Sequence, residues 1–364
     1  MTTYKIISAD SHVVEPPNLW LDYIDRHFID KAPRLVHQPD TDLFYCEGAR
    51  RLTFHTFASA GMRPEDVKEK GRYHDVIRPG AYDPDARLKD MTQDGVDAEV
   101  LYPSVSMTFF TIPDVPFQEA CFAAYNSWMA DMCKTHPDHL KGIALLSIED
   151  LDHAAQELER SRKLGLVGAM IAIYPQEGED YGSPHYDKLW AASEALDMPI
   201  SLHVATHRRS PTKGPMKASE VATRSVWVQR SIGDMIFSGV FERFPRLKVV
   251  SAENEIGWAP YFLEKMDHIF IHRRHRHPMN LKGDLLPSQQ FHQHVYLTFM
   301  RDLAGVRNRD LIGVDNIMWS SDYPHHESTW PHSQEVLAKH FVGVPEVDQR
   351  KIVRDNVTRL YHFN

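Results

Sequence analysis

Eight short apolar runs, each followed by a segment with helical spacing, recur along this 364-residue chain. The runs fall at 4–9, 98–103 (AEVLYP), 141–147 (KGIALLS), 168–173 (GAMIAI), 200–204 (ISLHV), 247–252 (LKVVSA), 294–299 (HVYLTF) and 317–320 (IMWS). Helix-compatible segments lie between them at 84–95, 117–135, 151–164, 186–196, 221–241 and 260–268, and after the last run at 332–338 and 346–361. GAMIAI is apolar throughout, as a parallel strand covered on both faces should be. In 151–164, Leu151, Ala154, Leu158 and Leu164 mark one apolar helix face. Regular alternation of strand and helix predicts an α/β fold. Eight repeats favour a closed (β/α)8 TIM barrel, one domain over 1–364, rather than an open doubly wound sheet. An open sheet with a nucleotide site would need a Gly-x-Gly-x-x-Gly turn after a strand or a Walker lysine loop, and neither occurs.

One stretch breaks the rhythm. Residues 25–83 separate the first strand from its nearest helix, more chain than a simple loop requires. Within it, 43–46 and 51–54 flank a glycine-containing turn at 47–50 and are expected to pair as a hairpin. A barrel places its active site at the C-terminal mouth. The insertion is therefore expected to form a cap over that mouth or a subunit contact.

Charge and composition narrow the partners. The net charge is −9, with both signs mixed along the chain, and no basic tract is long enough to bind nucleic acid. The short knot of Arg273, Arg274 and Arg276 among histidines reads equally well as a solvated loop. Cys46, Cys121 and Cys133 lack metal-ligand spacing, and so low a count fits a reducing compartment. There is no signal-like N-terminal pattern and no run near the ~20 apolar residues of a membrane span. The expectation is a cytoplasmic protein acting on a small molecule without nucleic-acid or membrane partners. Apolar and aromatic loop segments predict a homodimer or homotetramer.

If the strands close into a barrel, polar residues at their C-terminal ends converge on one site. Asp10 and His12 are spaced i, i+2 on the first strand and so point to one side. His203 sits in the otherwise apolar SLHVA of the fifth. Glu253 follows LKVVSA on the sixth, and Asp322 ends IMWSSD on the eighth. Taken singly, His203 fits a satisfied core histidine and Asp10 a turn cap. A buried Asp322 is different, because it needs pairing, protonation or a metal. Together, Asp10, His12, His203 and Asp322 predict a site for one divalent metal ion, Zn2+ first, then Mn2+ or Fe2+. Nearby, His207, His325 and His326 are candidates for substrate binding or proton shuttling, or ordinary loop residues. Glu15 is a candidate to orient a ligand. Arg208 and Arg209 are candidates for an anionic substrate. Phe109, Phe110, Trp319 and Trp330 suggest an aromatic-lined cavity, and hence an aromatic carboxylate substrate.

The Asp-x-His opening, the strand ending at His203, FERFPRLKVVSAE at 241–253 and MWSSDYPH at 318–325 occur in that order across nearly the whole chain. In this arrangement the chain resembles the amidohydrolase-related group that contains aminocarboxymuconate-semialdehyde decarboxylase and gamma-resorcylate decarboxylase. The resemblance implies a distorted barrel with one divalent metal, usually zinc or manganese, and removal of a carboxylate from an aromatic or enal substrate. Other members of the group hydrolyse C–C, amide or lactone bonds. Carried over residue by residue, the first-strand pair and His203 bind metal, while Asp322 binds metal and handles a proton. Decarboxylases of the group have His-x-His or Glu-x-His where this chain has Asp10-x-His12. They carry a catalytic histidine in an Ala-His-Gly-Gly-like turn where this chain reads SAENEIG, with Glu253 at or near that position.

The leading expectation is thus a metal-dependent, non-oxidative decarboxylase of an aromatic or unsaturated carboxylic acid, with Asp322, Glu253, His207 and His325 as catalytic candidates. Glu253→Gln is expected to impair turnover more than metal content. The alternative is a hydrolase acting through metal-activated water, with Asp322 or Glu253 as the base. A third reading is a non-catalytic metal-binding scaffold.

Overall fold

The computed structural model describes residues 5–49, 57–68, 70–176, 178–208 and 217–363. Eight of its strands form one parallel barrel sheet: β1 (Ile7–His12), β4 (Ala98–Tyr102), β5 (Leu140–Leu145), β6 (Gly168–Ile171), β7 (Ile200–His203), β8 (Val249–Ala252), β9 (Val295–Phe299) and β10 (Ile317–Trp319). The remaining two, β2 (Arg34–His37) and β3 (Asp42–Tyr45), pair antiparallel within the insertion. Nearly every residue of the barrel strands is buried, because side chains fill the interior on one face and meet the helices on the other.

Register sets the strand ends level. His12 lies opposite Tyr102, His203 opposite Ala252, and Met318 opposite Thr298. The first and last strands meet through irregular bonds. The Asp322 amide donates to the Asp10 carbonyl at 3.0 Å, and the His12 amide donates to the Tyr323 carbonyl at 2.6 Å. Pairing of β1 with β4 shifts register between Ser8 and Ser11, next to Asp10. The seam of the barrel therefore runs through the residues that make up the site.

A buried cation fastens that seam. Arg87, on the helix Pro84–Asp94, donates to Glu99 Oε2 at 2.5 Å, to the His12 carbonyl at 2.6 Å and to the Tyr323 carbonyl at 3.3 Å. Outer helices follow from capping and periodicity. In Leu151–Leu164, Asp150 caps the start by accepting from two backbone amides, and Gly165 at φ +102° ends it in a conformation that favours glycine. Leu151, Ala154 and Leu158 are buried as their spacing predicts, and Leu164 is half-buried. The helical region expected at 221–241, whole or in two pieces around Gly239, is three helices, Ala218–Ala222, Val226–Phe237 and Val240–Arg243, with Gly239 left-handed before the last. Among the described residues, no helix is long and apolar enough to cross a membrane.

Of the hairpin expected in the insertion, 43–45 is strand and pairs with Arg34–His37; the other predicted arm, 51–54, falls outside the described residues. The Asp42 carboxylate fixes this arrangement, taking hydrogen bonds from Arg72 and from the Tyr73 amide. The insertion reaches the end of β10 through Ala60, whose amide donates to the Pro324 carbonyl at 3.1 Å. It reaches the loop after β1 through Tyr73, whose hydroxyl donates to the Val14 carbonyl at 3.0 Å.

Candidate metal centre

Asp10, His12, His203 and Asp322 converge at the barrel mouth and are all almost fully buried. His12 Nε2 lies 3.4 Å from Asp10 Oδ1 and 3.4 Å from Asp322 Oδ1. His203 Nε2 lies 3.7 Å from Asp10 Oδ1 and 3.2 Å from His12 Nε2. Local backbone shape supports this convergence. Ala205, Glu253 and Asp322, which follow the ends of β7, β8 and β10, all have left-handed φ, at +64°, +53° and +56°. Such conformations cost roughly 1–2 kcal/mol each for residues with a Cβ, and strain of this kind clusters at functional sites.

Two features fit the cluster to a divalent cation. First, each imidazole has its Nδ1 against a backbone carbonyl, His12 on Pro103 at 2.7 Å and His203 on Val204 at 2.9 Å. These contacts put the ring protons on Nδ1 and turn the two Nε2 lone pairs toward each other, an arrangement that repels unless positive charge lies between them. Second, Asp10 Oδ1 and Asp322 Oδ1 are buried without a hydrogen bond, and each lies 3.4 Å from His12 Nε2. Metal–donor lengths of about 2.0–2.2 Å put neighbouring donors roughly 3–3.5 Å apart, close to the spacings observed. Nitrogen and carboxylate oxygen donors suit a divalent ion of intermediate softness.

The charges respond accordingly. Burial opposes ionisation of Asp10, but His203 and His12 outweigh it and hold the carboxyl well below the usual range. Burial works against a charge on His203 as well, yet Asp10 and Glu253 raise its pKa to about 9. Positive charge is thus favoured at this point, as a proton or as a metal ion. Asp322 is pushed up to about 7 by burial, relieved in part by His12 and reinforced by Asp10. Burial and the neighbouring Asp322 raise Glu253.

Around this centre the other predicted residues separate. His325 belongs to it: the ring stacks on His12 with centroids 3.9 Å apart, and Nδ1 lies 3.0 Å from Asp322 Oδ1. Burial lowers its pKa to about 4. Glu253 Oε2 also faces the imidazoles. The donors fall in two overlapping groups that share His12, one with Asp10 and His203 and one with Glu253, Asp322 and His325; among the described residues His207 belongs to neither, and its ring meets Trp227 edge-on at 5.4 Å. Glu15 orients no ligand directly. Its carboxylate accepts from the amides of Ser104, Val105 and Ser106 and shapes the loop after β4. Arg208 is ion-paired with Glu149 and Glu179, and Arg209 lies outside the described residues.

Of the four rings expected to line a cavity, Phe110 borders one with Glu149, Gln176 and Arg208, and the other three pack elsewhere. Trp319 is fully buried in the core, Phe109 packs on Trp20 at 5.2 Å, and Trp330 lies beneath the Arg78 guanidinium. The rings that meet the site are Tyr102, 5.3 Å from His203, and Phe57 of the insertion, 5.6 Å from His325. Three polar residues at the site escape the sequence reading. Ser104 Oγ is 2.8 Å from His325 Nε2. Thr298 donates to Asp10 Oδ2 at 3.3 Å and accepts from the Glu253 amide at 2.9 Å. Arg224 Nη2 lies 3.5 Å from Glu253 Oε1. Thr298 near the end of HVYLTF and Ser104 directly after AEVLYP carry the same signal, a polar residue at a strand end; Arg224 carries none.

A barrel with imidazoles and carboxylates gathered at its C-terminal mouth has the architecture of a metal-dependent enzyme. The amidohydrolase family model matches residues 27–363, and the chain belongs to that family. It is 28% identical over 310 residues to gamma-resorcylate decarboxylase of Rhizobium radiobacter, covering 77% of this chain and 87% of that protein. The fold matches an amidohydrolase of Mycobacterium avium subsp. paratuberculosis K-10, with TM-score 0.79, 21% identity and coverage of 99% and 98% of the two chains. It also matches a dihydroxybenzoic acid decarboxylase of Polaromonas sp. JS666, solved with manganese and the inhibitor 2-nitroresorcinol, with TM-score 0.69, 18% identity and coverage of 100% and 98%.

Proposed function

We propose that this protein is a metal-dependent, non-oxidative decarboxylase of an aromatic carboxylic acid. The observation that carries the reading is that two buried carboxylate oxygens, Asp10 Oδ1 and Asp322 Oδ1, each lie 3.4 Å from His12 Nε2, with His203 Nε2 3.7 Å from the first. These four side chains would hold one divalent ion. Bound there, the ion supplies electrostatic stabilisation of negative charge on the substrate carboxylate and an adjacent oxygen. The likeness to gamma-resorcylate decarboxylase supports the choice of reaction and of substrate class.

Within this reading, Asp322 holds the proton. Burial of its carboxyl favours the protonated form, which suits a proton donor. Protonation of the carboxylate-bearing ring carbon is followed by cleavage of its bond to the carboxylate. The bonding pair stays with the ring and carbon dioxide leaves. His325, held by Ser104, fixes the position of Asp322. The segment 25–83 acts as a cap, supported by the Phe57 contact with His325 and by Met62, which shares a cavity wall with Glu255 and His326.

Hydrolysis remains the second reading because a third carboxylate, Glu253, stands beside the imidazoles. One panel separates the two. Metal-loaded protein is offered salicylate- and resorcylate-like acids, and carbon dioxide release is followed beside ester and amide cleavage. Carbon dioxide release from at least one acid is expected. Ester or amide cleavage with no carbon dioxide from any acid would assign the site to hydrolysis.

A further inference from the structure

We infer that Glu253 is a fifth protein donor to the metal centre, giving a set of two imidazole nitrogens and three carboxylate oxygens. This rests on the four-ligand reading above. Glu253 Oε2 lies 3.5 Å from His203 Nε2 and 3.9 Å from His12 Nε2. Asp10 Oδ1 approaches the same two nitrogens at 3.7 Å and 3.4 Å. By distance, the two carboxylates stand in equivalent relations to the imidazole pair.

The backbone and its neighbours hold Glu253 in that position. Its left-handed φ of +53° turns the chain at the end of β8, a conformation that costs energy for a residue with a Cβ and calls for a compensating role. Thr298 links it to Asp10, accepting from the Glu253 amide and donating to Asp10 Oδ2. The outer oxygen, Oε1, faces Arg224 at 3.5 Å, so Glu253 stands between the imidazole pair on one side and a guanidinium on the other.

The donor set has a consequence for the metal. Four donors with two imidazoles suit zinc, which favours tetrahedral coordination. A third carboxylate raises the donor number to five and hardens the set, which favours an ion that accepts higher coordination and oxygen ligands, such as Mn2+. An oxygen of the substrate would complete the donor set.

The test measures binding of Mn2+ and Zn2+ to the full-length protein by calorimetry, with the electron paramagnetic resonance spectrum of bound Mn2+ as a second readout. Wild type is compared with Glu253→Gln, Glu253→Ala, His203→Ala and Asp322→Asn, and circular dichroism identifies the variants that fold. Loss of Glu253 is expected to weaken Mn2+ binding at least about tenfold, to weaken Zn2+ binding less, and to change the Mn2+ spectrum. Mn2+ affinity within about twofold of wild type and an unchanged spectrum in a folded Glu253 variant would overturn the inference. The four-ligand reading fails separately, if His203→Ala and Asp322→Asn also leave Mn2+ affinity unchanged.

Discussion

The Nε2 atoms of His12 and His203 stand 3.2 Å apart, and each ring has its Nδ1 on a backbone carbonyl. With both protons committed to Nδ1, two lone pairs face each other beside the unpartnered oxygens of Asp10 and Asp322. Ligand binding to the native state alone raises stability by mass action. Treatment with a chelator should therefore lower the melting temperature and abolish turnover, and re-addition of one equivalent of divalent ion should restore both. His203→Ala should reduce turnover by at least about a hundredfold and melt at the same temperature with or without metal; differential scanning fluorimetry and metal analysis check both.

Ser104 acts at one remove. Its hydroxyl lies 2.8 Å from His325 Nε2, and its loop is held by Glu15, which accepts from three successive amides. Ser104→Ala should free the imidazole and lower kcat by about tenfold, while metal content stays at one ion per chain. Paired kinetics and metal analysis distinguish this from loss of the metal site.

Arg87 governs stability. Its guanidinium is fully buried, pairs with Glu99 and binds the carbonyls of His12 and Tyr323 across the barrel seam. Removing one member of a buried pair strands the other charge. Arg87→Ala should cost about 3–5 kcal/mol in denaturant unfolding. Adding Glu99→Gln to that variant should recover part of the loss, because the uncompensated carboxylate is gone.

Much of this was readable from the chain. Eight apolar runs with helical intervals predict the barrel, because parallel strands covered on both faces must be apolar and helices need an apolar face of their own. Asp10, His12, His203 and Asp322 stand out for the same reason: each is a polar residue in or just after an apolar run. The limits have physical causes. The partner of 43–46 is set by the Asp42 contacts with Arg72 and Tyr73, about 30 residues away in sequence, which no local pattern reveals. Trp319 and Phe109 looked like pocket walls, but aromatic rings next to strand ends fill the core equally well. Arg224 comes from a loop ahead of a helix, where nothing in its neighbours marks an arginine as facing Glu253.

Asp234, which belongs to neither group of candidate metal donors, supplies a pH-dependent test. Burial and the charge of Asp180 raise its carboxyl from 3.8 to about 6. The native state therefore holds this proton more tightly than the unfolded chain does. Its penalty to stability is absent below pH 3.8, grows as pH rises toward 6 and is fully present above that. Asp234→Asn keeps an acceptor for the Tyr174 hydroxyl, which lies 3.4 Å away. It should stabilise the protein at pH 7.5 by about 1 kcal/mol, and the gain should vanish as pH falls below 4. Denaturant midpoints at the two pH values check the sign.

The most direct test of the account is turnover of a ring-hydroxylated benzoic acid in D2O, with the carboxylate labelled in carbon-13. The account predicts labelled carbon dioxide equal in amount to the phenolic product, one deuterium at the ring carbon that lost the carboxylate, and loss of both signals in Asp322→Asn and in metal-stripped protein. A product that retains the labelled carboxylate, or release of carbon dioxide at an undiminished rate without metal or without Asp322, would contradict it.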